Sequence, residues 1–260
     1  MNYQNIRLEI DNNLAIVTLN APQVLNALSP TMVNELSLAI DEAVAGSRCL
    51  LLTGEGRAFC AGANLQPDSG EVPAPLPPPG HVLETHYFPV MSKLRQMPIP
   101  LVTAINGPAV GVGMSFAIMS DYAIAAREAY FLQAFANIGL VPDGGATWVL
   151  PRIIGWRRAV ELSMLADRLP AQTALEWGLV NSVVESDELM PEAMRIATRL
   201  AEGPMSLGLI RKAYWASLEN SYDQQFQLET SLQREAGRSE DNREGVRAFL
   251  EKRKPKFVGR

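Results

Sequence analysis

Apolar and polar positions alternate with a period of two near the start of the chain. Ile6, Leu8 and Ile10 are separated by Arg7, Glu9 and Asp11, the pattern of a strand with one covered face. Asn12-Asn13 is a turn signal, and the apolar run Leu14–Leu19 follows it. Together they predict a hairpin. The period then changes to that of a helix. Met32, Val33, Leu36, Ala39, Ile40 and Ala43 recur behind Ser29-Pro30, an N-cap followed by a residue suited to the first helical position. Arg48–Thr53 and Leu101–Ile105 predict buried strands, and a helix near 111–119 and a strand at Tyr122–Ala126 follow. Val180–Val184 is a later short strand. Strands alternating with helices point to an α/β core. After about residue 187 only helical patterns remain, near 187–202, 204–218, 222–238 and 241–252. The expected division is an α/β core over 1–200 and a helical oligomerisation region over 201–260.

Composition narrows the class. The chain has 260 residues, 47% of them hydrophobic, enough for one large core. A net charge of −5 argues against a nucleic-acid surface. No apolar run is long enough to predict a membrane span, and the N-terminus does not read as a secretory signal. Cys49 and Cys60 have no metal-ligand spacing and fit a reducing compartment, so a cytoplasmic setting is expected. With only His81 and His86, a histidine-rich metal site is excluded, and no Walker A, G-x-S-x-G or H-E-x-x-H motif occurs. Residues 67–80 hold six prolines and two glycines, a loop that reads as a linker or as a lid over a pocket.

Three segments could carry chemistry. Gly54–Asn64 and Gly107–Gly113 are glycine-bearing turns, each after a predicted sheet strand. Small residues at 61–63 and 111–113 let a ligand approach the backbone, and two N–H groups there could form an oxyanion hole. The plainer reading is that the glycines only make tight turns. A dinucleotide site is disfavoured, because Phe116 stands where the third glycine of G-x-G-x-x-G belongs, although Glu128 could mimic the ribose-binding acid. The third segment is Phe131–Thr147, apolar to Val141 and then sharply turned at Pro142-Asp143-Gly144-Gly145. Asp143 is either the N-cap of the next helix or a carboxylate in an apolar pocket, where desolvation would raise its pKa.

These segments, in this order, resemble the crotonase (enoyl-CoA hydratase/isomerase) superfamily. The matching residues are Ala58-Phe59-Cys60-Ala61-Gly62-Ala63-Asn64-Leu65, Ala104-Ile105-Asn106-Gly107-Pro108-Ala109-Val110-Gly111-Val112-Gly113 and Ile138-Gly139-Leu140-Val141-Pro142-Asp143-Gly144-Gly145. Pro151–Gly155, Glu176–Val180 and Glu244–Pro255 also match, so the resemblance covers nearly the whole chain. It implies a spiral of ββα units with a helical C-terminal trimerisation region, assembled as a homotrimer or a hexamer made of two trimers. It implies an acyl-CoA thioester as substrate, with no separate cofactor. The thioester oxygen would take hydrogen bonds from the N–H groups of Ala63 and Val112. Ala61, Asn64, Leu65 and Gln66 would line the CoA passage, Gly111, Ser115 and Phe135 would touch the substrate, and Phe257 would touch the CoA of its own or a neighbouring subunit.

The hydratases of this family use two glutamates, whose positions here hold Ser115 and Phe135. Asp143 stands where the acid-dependent isomerases of the phenylacetate-catabolism type and the chlorobenzoyl-CoA dehalogenases keep an acidic residue. The dehalogenase histidine corresponds to Phe88, with His86 nearby. The leading expectation is an acyl-CoA isomerase with Asp143 as its single acid/base, kept dry by Leu132, Phe135 and Val141. The alternatives are a hydratase with a non-standard site, a dehalogenase or thioesterase working through a covalent Asp143 ester, and a non-catalytic protein of the same fold. Tyr87, Phe88 and Met91 are expected to shape the acyl pocket.

Overall fold

The alternation at the start of the chain produces the hairpin it predicts. Strand β1 (Ile6–Asp11) pairs antiparallel with β2 (Leu14–Leu19), Ile6 opposite Leu19 and Asp11 opposite Leu14. Asn12 and Asn13 both take positive φ, 49° and 66°, as a two-residue turn of this twist requires and asparagine tolerates. The structure is a computed structural model that describes residues 3–64 and 79–260. Most of the proline-rich loop, with Leu65 and Gln66, therefore lies outside the described residues.

Helix α1 (Pro30–Gly46) is capped by Ser29, whose Oγ accepts from the Met32 N–H at 3.2 Å. Strand β3 (Cys49–Gly54) follows. Three helical segments then run without a break: α2 (Pro79–Val82), a π-type turn at Leu83–Tyr87, and α3 (Phe88–Gln96). Strands β4 (Leu101–Ile105) and β5 (Ala109–Val110) lead to helix α4 (Val112–Ala117), and then come β6 (Tyr122–Ala126) and β7 (Tyr130–Leu132). A 3-10 turn at Ala134–Ile138 precedes α5 (Ala146–Ile153) and α6 (Trp156–Leu165). Strand β8 (Leu169–Pro170), helix α7 (Ala171–Trp177) and strand β9 (Ser182–Val184) complete the strand-bearing part. Helices α8 (Leu189–Ala201), α9 (Ser206–Ser217), α10 (Tyr222–Gly237) and α11 (Glu240–Leu250) follow.

The larger sheet has the order β1-β2-β3-β4-β6-β9, parallel except for the first pair. A smaller sheet, β5-β7-β8, stands beside it. Strand β4 is buried along its whole length, as a central parallel strand must be. Two boundaries differ from the sequence reading. Helix α4 ends at Ala117 because the Thr103 and Ser120 hydroxyls donate to the Ala117 carbonyl at 3.2 and 3.0 Å. Strand β9 begins at Ser182 because the Asn181 side chain, accepting from the Ala123 N–H at 2.8 Å, takes a ladder position itself.

Helix α8 packs on β3, β4 and β6. Beyond it, α9 is bolted to the core by Arg211, whose side chain is 3% exposed. Its guanidinium donates to Asp121 at 2.7 Å and to the carbonyls of Leu94, Arg95 and Met97 at 2.5, 2.8 and 2.9 Å. The C-terminal tail returns along α11, where the buried Asp241 carboxylate accepts from the N–H groups of Met205, Val258 and Gly259. Among the described residues no helix is long and apolar enough to cross a membrane.

Candidate active site

The two glycine-bearing turns are sewn together by backbone hydrogen bonds. The Cys60 N–H donates to the Pro108 carbonyl at 3.0 Å, and the Val110 N–H donates to Cys60 at 2.9 Å. Glycine is needed at 113, because a Cβ there would lie 2.5 Å from the Cys60 carbonyl oxygen. At Gly62, which has φ +98°, a Cβ would lie 2.9 Å from the Val110 oxygen. The glycines therefore make tight turns, and they also bring the start of α4 against the 60–64 segment.

That contact leaves specific donors free. Leu25 and Leu28 hold the first turn: Ala61 donates to the Leu25 carbonyl at 3.0 Å, and Asn64 to Leu28 at 3.0 Å. The Leu28 N–H donates to Gly62 at 2.7 Å. Ala63, facing away from this bridge, is exposed, and its N–H meets no acceptor among the described residues. In the second turn Gly111 (φ +54°) donates to Leu132 at 2.8 Å, and its carbonyl accepts from Met114 and Ser115. The Val112 N–H, at the start of α4, likewise has no acceptor among the described residues. Unclaimed N–H groups at a helix start suit an oxygen carrying negative charge.

Asn26 underlies this arrangement and was missed in the sequence. It is fully buried, with φ +56°. Its side chain accepts from the Ala21 N–H at 2.9 Å and donates to the Glu55 and Ala58 carbonyls at 2.9 and 2.8 Å. A lone asparagine in a loop carries no periodic signal that could have marked it.

Asp143 resolves in favour of the pocket reading. Helix α5 begins at Ala146 with Gly145 as its N-cap and no side-chain cap, so the Asp143 carboxylate caps nothing. The Asp143 carbonyl accepts from the Ser115 hydroxyl at 2.9 Å and from the Ala146 N–H at 3.1 Å. These bonds fix the backbone and leave the side chain to the cavity. Its Oδ1 is buried and meets no hydrogen-bond partner among the described residues. Burial pushes the carboxyl from 3.8 up to about 6, because desolvation disfavours the charged form. The cavity has a volume of about 550 Å³, and Tyr87, Met91, Trp148, Val149 and Trp215 supply much of its wall.

The expected drying residues divide. Val141 lines this cavity, but Leu132 and Phe135 do not. Phe135 instead packs over Gly111, its ring 3.7 Å from where a Cβ on that glycine would stand. Ser115, 1% exposed, spends its hydroxyl on the Asp143 carbonyl and couples α4 to the aspartate loop. Phe257 lies away from the cavity: its carbonyl accepts from Arg48 at 3.2 Å, and its ring lies beside Gly245. Cys60 is buried, and burial pushes its thiol up to about 12, which disfavours a thiolate beside the two turns. His81 is exposed, and His86 is half-buried with its ring bonded to the Thr85 hydroxyl at 2.7 Å.

A spiral α/β core, two joined glycine turns with unclaimed N–H groups and one desolvated carboxylate define an enzyme of the crotonase class. The chain matches the enoyl-CoA hydratase/isomerase family over residues 9–260, and it belongs to that family. It is 41% identical to the 1,2-epoxyphenylacetyl-CoA isomerase of Escherichia coli strain K12, covering 96% of this chain and 97% of that one. It is also 41% identical, over the full length of both chains, to a Rhodobacter capsulatus protein described as a probable enoyl-CoA hydratase. The crystal structure of an enoyl-CoA hydratase from Bacillus anthracis superposes with a TM-score of 0.91 at 31% identity, covering 99% of this chain and 100% of that one.

Proposed function

We propose that the protein is an acyl-CoA isomerase that moves a proton along the acyl chain with Asp143 as its only acid/base. The observation that carries this reading is the Asp143 carboxylate, which among the described residues has no hydrogen-bond partner at Oδ1, in a largely apolar cavity. Among the described residues the other carboxylate on the cavity wall, Glu219, is ion-paired with Arg95. Asp143 takes a proton from one carbon of a bound enoyl or related thioester. The electron pair of the broken C–H bond moves onto the thioester oxygen as an enolate, which the Ala63 and Val112 N–H groups hold. The protonated Asp143 then returns the proton to a different carbon, so one group serves as base and then as acid. A carboxyl that titrates near 6 suits both roles. The similarity to the 1,2-epoxyphenylacetyl-CoA isomerase supports an acyl-CoA isomerase.

Asp143→Asn tests the assignment directly. Proton exchange with deuterated water at the carbon next to the thioester should fall by roughly 100- to 10,000-fold. Wild-type exchange in the variant would remove Asp143 from the mechanism. The names of the R. capsulatus and B. anthracis relatives favour a second reading, hydration of a 2-enoyl-CoA. Incubation in oxygen-labelled water separates the two, since only hydration yields a labelled 3-hydroxyacyl product. The same reading places the enzyme in the cytoplasm as a homotrimer or hexamer. Exposed Tyr214, Tyr222 and Phe226 on the C-terminal helices supply apolar surface for such an assembly.

A further inference from the structure

A second, larger cavity of about 800 Å³ lies between the core and helix α9. Three residues, Arg95, Trp215 and Glu219, line both this cavity and the one that holds Asp143. These are the residues the two cavities share. The guanidinium of Arg95 stands 5.1 Å from the Trp148 ring centroid and 5.8 Å from that of Trp215. The two indoles are stacked, 6.1 Å apart. Arg95 also ion-pairs with Glu219. A cation that contacts both rings of a stacked indole pair from the side, and is paired with a carboxylate, is held by interactions that do not depend on substrate.

The Arg95 side chain is not what anchors α9. The Arg95 and Glu219 side chains are 39% and 55% exposed. What α9 needs from Arg95 is its backbone carbonyl, which accepts from Arg211 at 2.8 Å, and truncating the side chain leaves that bond in place. The far cavity has an apolar side in Met97, Ile99, Leu200, Leu207 and Leu209. A hydrocarbon chain that passed Arg95 would therefore be buried against apolar groups.

We propose that Arg95, clamped by Trp148, Trp215 and Glu219, is a specificity-determining residue that sets the far limit of the acyl cavity and excludes long acyl chains. This rests on the reading of the Asp143 cavity as the acyl site. This limit selects by length, because a chain that reaches it must displace a stacked, ion-paired guanidinium before it gains any further burial.

The test is a series of 3-enoyl-CoA thioesters, short, medium and long, with the same reacting carbons. They are given to the wild type, to Arg95→Ala and to Glu219→Ala, which releases the clamp from an exposed position. In the wild type kcat/KM should drop sharply beyond a medium length. In Arg95→Ala the ratio of long-chain to short-chain kcat/KM should rise by roughly fourfold for each methylene that enters the far cavity. Glu219→Ala should shift the ratio in the same direction by less, and it decides the matter alone if Arg95→Ala does not fold. An unchanged ratio in the folded variants overturns the proposal and leaves Asp143 in place. A wild type that exchanges no proton with any thioester overturns the Asp143 reading, and this proposal with it.

Discussion

Replacing Asp143 by Asn should change the pH dependence of stability in a direction the structure dictates. The carboxyl titrates at about 6 in the folded chain, against 3.8 when exposed, because burial penalises its charge. Between those two values the folded protein holds a proton that the unfolded chain has released. Wild-type stability therefore falls as pH rises through this window. The stabilisation is fully present below about pH 4 and lost above about pH 6. A displacement from 3.8 to about 6 corresponds to roughly 3 kcal/mol if fully expressed. Asp143 is only half-buried, and solvent screening reduces this to about 2 kcal/mol. Urea unfolding of wild type and Asp143→Asn, at one protein concentration across the pH range, gives the difference at each pH. Groups that titrate equally in both proteins cancel. The wild type should lose about 2 kcal/mol relative to the variant between about pH 4 and pH 7. A flat difference would show that the carboxylate is solvated, and a rising one that it is paired with a cation. Either result would refute the desolvated-base argument.

Three further substitutions probe the scaffold. Gly144→Ala puts a Cβ 2.8 Å from the Ser115 Cβ and 3.0 Å from the Met91 Cε at φ +60°. It should cost about 2 kcal/mol and depress kcat by displacing Asp143, which thermal unfolding and exchange kinetics would show together. Arg211→Met leaves three core carbonyls and Asp121 without their donor. The cost should be about 3–5 kcal/mol, read from the unfolding midpoint. Asn26→Ala removes three buried hydrogen bonds beneath the Ala63 turn. It should cost roughly 3 kcal/mol and lower kcat through a loosened oxyanion hole, and wild-type kcat in a destabilised variant would detach Asn26 from the site.

Local rules made much of the architecture legible in the sequence. The Ile6–Leu19 hairpin, the Ser29 cap and the buried β4 strand each rest on contacts between near neighbours or on a simple period. The glycines at 111 and 113 marked the strand-to-helix turn for the same reason. Asp143 was visible as a choice between two roles, because a carboxylate before a helix looks the same whether or not it caps. Its environment comes from the Ser115 hydroxyl and from Tyr87, Met91, Trp148 and Trp215, residues spread over about half the chain. No local pattern links them.

What the sequence by itself determined is therefore the order of elements, the apolar faces that build the sheet, and the glycine positions where backbone must meet backbone. The tertiary structure decided which donors stay unclaimed, that Phe135 packs over Gly111 and not on the Asp143 cavity, and that Arg95 stands beside two stacked indoles on the lining of that cavity. The physical reason is one of range. Backbone propensity and periodicity act over a few residues, whereas desolvation, cavity shape and cation–π contact depend on groups that meet only after the chain has closed on itself.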